Sequence, residues 1–174
     1  MRIIAGEWRG RQIVAPAGDS VRPTLDRVRE AWMSIVHTSL PDVPVLDLFA
    51  GSGALGLEAL SRGAERVDFV ENDPRTFRVL LENVASLGAA ERCTLHREDA
   101  IKFISKIPVG DVPRYGVAFA DPPYRKSLAV QLADLWLKQP FATIFGVEHE
   151  SRETLPAGGD TRRYGDTSIT IYRV

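Results

Sequence analysis

The chain has one cysteine, Cys93, and three histidines, His37, His96 and His149, in 174 residues. A lone cysteine closes no intramolecular disulfide and builds no zinc cluster, so no metal site is expected. Cys93, in the strand-like run 92–96, reads as a small buried apolar residue. Neither staple is needed, because a domain of this length buries roughly 70% of its unfolded surface. The histidines stand in no motif that would use them as a base, and each reads as structural or exposed. Long apolar runs are absent, and only a short Ile3-Ile4 follows Arg2 before polar residues. With neither a membrane span nor a signal peptide, a cytoplasmic protein without a membrane partner is expected. There is no internal repeat, low-complexity tract or compositional break. One domain over 1–174, with an amino-terminal arm (1–23), a linking helix (24–38) and a sheet (44–174), is the expected organisation, as a monomer.

Charge of one sign is also lacking over the whole chain, where the net is −1. It is not evenly spread. Residues 1–29 hold Arg2, Arg9, Arg11, Arg22, Arg27 and Arg29 against Glu7, Asp19 and Asp26, a local +3 that leaves −4 for the rest. Trp8, Gly6 and Gly10 are interleaved with these arginines. Forked guanidinium groups suit phosphates, and an aromatic ring suits an unpaired base, so this set, Trp8 included, is the candidate RNA surface. A solvated basic arm with no specific partner would show the same composition.

Asp121-Pro122-Pro123-Tyr124 follows an apolar run, 115–120, that reads as a buried strand. The prolines fix φ and remove two backbone donors, which leaves the carbonyls of Ala120, Asp121 and Pro122 open as acceptors. An acceptor cluster beside an aromatic face suits the exocyclic amino group of a flat base: its N–H donors meet Asp121 and the Pro122 carbonyl while the ring lies on Tyr124. A turn that merely ends a strand would look alike.

Upstream, residues 45–64 read as a strand, a glycine turn and a helix. Gly51, Gly53 and Gly56 have the G-x-G-x-x-G spacing, and Glu71 lies 20 residues beyond Gly51, at the end of the strand 66–71. Such a carboxylate can accept both ribose hydroxyls of a nucleoside. The spacing fits NAD as well as S-adenosylmethionine. Asp47, inside the first strand, can hold the ammonium end of an amino acid, which NAD lacks. Asp99 can take an adenine amino group with the Ala100 N–H toward the ring, although its place before 100–106 also suits a helix N-cap.

Strands at 45–50, 66–71, 93–97, 115–120 and 142–148 alternate with helices at 54–62, 75–87, 100–106 and 127–138, the pattern of an α/β doubly wound sheet. Thr161 to Tyr164 and Ser168 to Arg173, around Gly165-Asp166, add an antiparallel hairpin. Alternating apolar residues around Gly6 and Gly10 predict an amino-terminal β-hairpin. Thr24 predicts an N-cap for a helix whose apolar face is Leu25, Val28, Trp32, Ile35 and Val36, with Arg22 and Arg29 on another side.

The glycine turn, Glu71 and the Asp-Pro-Pro-Tyr sequence together resemble the S-adenosylmethionine-dependent amino-methyltransferases. The outer segments, 2–11, 22–30 and 164–168, narrow the resemblance to the bacterial guanine-N2 methyltransferases of small-subunit ribosomal RNA. It covers nearly the whole chain and departs at Ala5, Leu25 and Trp32-Met33. It implies a mostly parallel seven-stranded Rossmann-like sheet and S-adenosylmethionine as cofactor. The implied cofactor-binding residues are Asp47, Phe49, Ala50, Gly51, Ser52, Gly53, Gly56, Glu71, Asn72, Asp99 and Ala100. The implied catalytic residues are Asp121, Pro122 and Tyr124, and the partner is ribosomal RNA or an assembling small subunit. A DNA adenine-N6 methyltransferase, an NAD oxidoreductase and a non-catalytic RNA-binding factor are the competing readings.

Overall fold

A computed structural model describes residues 1–16, 23–124 and 127–174; for 23–25 only the backbone is described. Arg22 and the capping side chain expected of Thr24 lie outside the described residues. The elements run α1 (Pro23–Val36), β1 (Pro44–Leu48), α2 (Ala54–Ser61), β2 (Arg66–Val70), α3 (Pro74–Ser86), β3 (Cys93–His96), α4 (Ala100–Ser105), β4 (Tyr115–Ala120), α5 (Leu128–Lys138), β5 (Ala142–Glu150), β6 (Asp160–Tyr164) and β7 (Thr167–Arg173). The seven strands form one sheet in the order β3-β2-β1-β4-β5-β7-β6. The first five in sequence pair parallel, while β7 runs antiparallel to β5 and to β6.

Period-two alternation divides the core between the two faces of the sheet. Val45, Val67, Phe69, Val117, Phe119, Ile144 and Ile169 pack beneath α1, α2 and α3. Leu46, Leu48, Val70, Ala118, Phe145, Val147 and Tyr172 pack on the other face, against α4 and α5. Both faces are covered, as parallel sheets require. Helix starts follow local chemistry: Asp73 accepts the N–H groups of Arg75 and Thr76, with Pro74 at the first helical position, and Asp99 accepts the N–H of Lys102.

The amino-terminal hairpin is present in its shortest form, one antiparallel bridge between Arg2 and Gln12. It lies flat on the domain. Glu58 accepts the N–H groups of Ile4 and Ala5, Ser61 holds Glu7 and Trp8, and Asn83 takes the N–H of Val14 while donating to its carbonyl. Gly6 makes this close approach possible. Its φ is +84°, and a Cβ there would stand 1.7 Å from the Ser61 carbonyl oxygen.

Helix α1 crosses the sheet with Val28, Trp32, Met33 and Val36 buried. Trp32 meets Phe119 edge-on at 5.4 Å between centroids. Gly146 on β5 clears the space for it, since a Cβ there would approach Trp32 Cζ3 to 2.2 Å. This contact brings α1 to the place where strand order reverses, between β1 and β4.

Candidate active site

Ligands of doubly wound sheets bind beyond the carboxyl ends of the strands at the reversal of strand order. Two cavities open there. One, of about 170 Å³, is walled by Asp26, Arg29, Trp32, Asp47, Gly51, Ser52, Asp121 and Glu148 among others. The second, of about 580 Å³, is walled by Glu71, Asn72, Asp99, Ala100 and Pro123. Phe49 and Asp121 border both, so the tips of β1 and β4 face common space.

The glycine turn is built for close approach. Phe49 has φ +59°, Gly51 +57° and Gly53 +83°, so left-handed residues alternate with ordinary ones. A Cβ at Gly51 would meet nothing within 4 Å, leaving its backbone bare. At Gly53 and Gly56 a Cβ would strike Leu80 and Phe69, so those two glycines serve the packing of α2 on the sheet. Glu71 Oε2 accepts the Gly51 N–H at 2.9 Å and its Oε1 accepts the Asp73 N–H at 2.8 Å. Each carboxylate oxygen keeps a second lone pair, and Glu71 lines the larger cavity.

Asp47 is buried on β1, and its Oδ2 accepts the Gly56 N–H at 2.9 Å. Burial pushes its carboxyl up to about 8, against the Gly56 hydrogen bond that favours the ionised form, and the Glu71 charge pushes it further up. Asp99 spends Oδ1 on its helix cap, with Ala100 buried behind it.

Beyond β4, Asp121 is exposed at the rim, Pro122 is buried and Tyr124 is 45% exposed just outside both cavities. The Tyr124 hydroxyl donates to Glu148 Oε1 at 3.1 Å and lies 2.8 Å from Thr167 Oγ1. Burial raises the Tyr124 phenol above its usual range. Glu148 is a buried carboxylate on β5, on the same face of the sheet as Asp47, and Trp32 Nε1 approaches its Oε2 at 3.4 Å. Burial raises the Glu148 carboxyl, while the hydrogen bonds from Tyr124 and Trp32 oppose the shift. Glu148 is not among the residues expected from sequence; its one signal is a carboxylate directly after the apolar run 144–147, at the end of the expected strand 142–148.

Two residues of the expected RNA surface are placed differently. Trp8 is 6% exposed, with Arg92 over its ring at 4.9 Å, so it is a core residue and not a stacking platform. Its burial follows from the docking of the hairpin on α2, where Ser61 Oγ accepts its N–H. Arg29 is 6% exposed and sits on the buried stripe of α1, beside Val28 and three residues before Trp32, instead of on an outer side. Arg2, Arg9, Arg11 and Arg27 are exposed, although Arg11 donates to the Ser86 carbonyl at 2.6 Å.

Residues 1–173 match the family model described as conserved hypothetical protein 95. Ribosomal RNA small subunit methyltransferase D of Escherichia coli K12 is 38% identical over 161 residues, covering 90% of this chain and 78% of that protein. Its namesake from Haemophilus influenzae is 37% identical and covers 100% and 92%. The solved structure of a hypothetical protein from Thermus thermophilus superposes with a TM-score of 0.85 at 32% identity, covering 100% of this chain and 99% of that one. The docked hairpin, the glycine turn and the proline-bound rim are therefore set in a chain that belongs to the conserved hypothetical protein 95 family, the family of ribosomal RNA small subunit methyltransferase D.

Proposed function

We propose that this protein transfers a methyl group from S-adenosylmethionine to the exocyclic N2 of a guanine in small-subunit ribosomal RNA, naked or in an assembling particle. The observation that carries the reading is the junction of the two cavities at Phe49 and Asp121, which sets a nucleoside-type site against the amino-group acceptors of the Asp-Pro-Pro-Tyr turn. Family membership supplies the methyl-transfer chemistry and the RNA.

The residues fit the donor. Glu71 takes the ribose hydroxyls, Asp99 the adenine amino group, and Asn72 and Ala100 line the same space. Gly51 lets the backbone approach, Phe49, Ala50, Ser52, Gly53 and Gly56 shape the turn, and Asp47 takes the ammonium. When bound, S-adenosylmethionine supplies a methyl group activated on a sulfonium sulfur. Asp121 and the Pro122 carbonyl accept the N–H groups of the target amine. These hydrogen bonds favour a pyramidal nitrogen, whose lone pair is otherwise delocalised into the guanine ring. Tyr124 holds the base plane. Because positive charge passes from sulfur to nitrogen, little net charge needs stabilising, and positioning can supply roughly 7–11 kcal/mol of the barrier. Transfer would form the nitrogen–carbon bond at the expense of the donor's carbon–sulfur bond, and the proton freed from nitrogen would pass to Asp121 or to water at the exposed rim.

The test is nucleoside mass spectrometry of ribosomal RNA from cells with and without the gene, together with methyl transfer in vitro to small subunits from the deletion strain. The expected product is N2-methylguanosine. N6-methyladenosine, or no product on either naked RNA or particles, would overturn the assignment.

A further inference from the structure

Arg29 is buried beside a cavity, and part of its guanidinium has no partner among the described residues. Its Nη2 donates to the Arg2 carbonyl at 2.8 Å and to Asp26 Oδ1 at 3.2 Å. Its Nε and Nη1 are also buried and have no hydrogen-bond partner among the described residues. A guanidinium carries five N–H donors, so the one on Nε and the two on Nη1 are unanswered among the described residues. Leaving a buried charged donor unpaired is expensive, and this side chain is only 6% exposed.

The cavity it borders explains the arrangement. Asp26, Asp47, Asp121 and Glu148 share that wall, and Arg29 is the one side-chain cation among the described lining residues. An anionic group entering here meets one side-chain cation, Arg29, while a cationic group meets Asp47, buried on β1. Glu148 is buried there too, but both its oxygens are engaged by Tyr124 and Trp32, whereas Asp47 accepts from Gly56 on Oδ2; Arg29 and Asp47 at one small cavity fit a zwitterion.

Resting on the methyl-donor reading above, we propose that Arg29 binds the α-carboxylate of the donor's amino-acid end, opposite Asp47 at the ammonium. Arg29 then belongs to donor recognition and not to the RNA surface. Helix α1 becomes part of the donor site, held there by Trp32 on the sheet and by the Arg2 carbonyl on Nη2.

The experiment measures calorimetric affinities of the full chain for S-adenosylmethionine, for its decarboxylated form, which lacks only the carboxylate, and for 5′-methylthioadenosine, which lacks the whole amino-acid end. The wild-type protein should prefer S-adenosylmethionine to the decarboxylated probe by roughly 10- to 100-fold, the worth of a charge-assisted hydrogen bond. Arg29→Gln should abolish that preference while leaving 5′-methylthioadenosine binding unchanged, which also reports that the variant is folded. If it is not, Arg29→Lys should retain a reduced preference. Equal weakening of both amino-acid-bearing probes, an undiminished preference, or a loss confined to RNA binding would overturn the assignment and leave the methyl-donor reading intact. Failure of the wild-type protein to bind any of the three would overturn that reading itself.

Discussion

The Tyr124 hydroxyl donates to Glu148 at 3.1 Å, joining the proline turn after β4 to the buried carboxylate of β5. With Thr167 and Trp32 at the same cluster, four elements fix the angle of one exposed ring. Tyr124→Phe should keep the ring and release this anchor, leaving Glu148 short of a donor. A loss of roughly 1–3 kcal/mol in stability is expected, with a raised KM for RNA. Tyr124→Ala should cost more activity than Tyr124→Phe, by the roughly 1–3 kcal/mol of base stacking. Equal kinetic losses in the two variants would assign the effect to the hydroxyl alone.

Asp121 stands at the junction of both cavities. Asp121→Ala should remove turnover and leave S-adenosylhomocysteine binding within a few-fold of wild type. Single-turnover methyl transfer and calorimetry on the same preparation separate the two quantities, and retained transfer would remove the central role given to this carboxylate.

Asp47 binds its proton more tightly in the folded chain than in the unfolded one, with its carboxyl pushed up to about 8 by burial. Its stabilising contribution is therefore complete below the ordinary carboxylate range and is lost as pH rises toward about 8, at roughly 1.4 kcal/mol per pH unit. Asp47→Asn should flatten that part of the pH–stability curve in denaturant titrations. Binding of an ammonium favours the ionised carboxyl, so donor binding near pH 7 should release a proton and tighten as pH rises toward 8. Calorimetry in buffers of different ionisation enthalpy measures the release, and none would be seen if Asp47 does not meet the ammonium.

Gly6 and Gly10 both have left-handed φ, +84° and +82°, but only Gly6 is crowded. Gly6→Ala places a methyl into the Ser61 carbonyl and should cost roughly 2–4 kcal/mol, from strain plus overpacking. Gly10→Ala meets open space and should cost only about 1 kcal/mol. Thermal unfolding of the two variants tests whether the docking of the hairpin on α2 is as close as described.

Charge reversal at Arg9 and Arg27, both exposed, should weaken RNA binding and lower its salt slope by about 1 for each phosphate contact removed. Unchanged binding at two salt concentrations would move the RNA surface elsewhere.

Much of this molecule can be read along the chain, because strand and helix periods, glycine spacing and proline turns are local. The alternation from Val45 to Val147 marks the strands, Asp99 marks a helix start, and Gly51, Glu71, Asp99 and Asp121 all follow strand ends. What tertiary structure decided is which polar residues lose water. Trp8 and Arg29 sit in a basic, polar stretch and read as surface, yet docking of the hairpin on Glu58 and Ser61 buries one, and the seating of Trp32 over Gly146 buries the other. Glu148 is a lone charge near the end of a buried strand until the turn after β4 and helix α1 bring Tyr124 and Trp32 to it. Burial is a property of partners far apart in sequence, and no local pattern carries it.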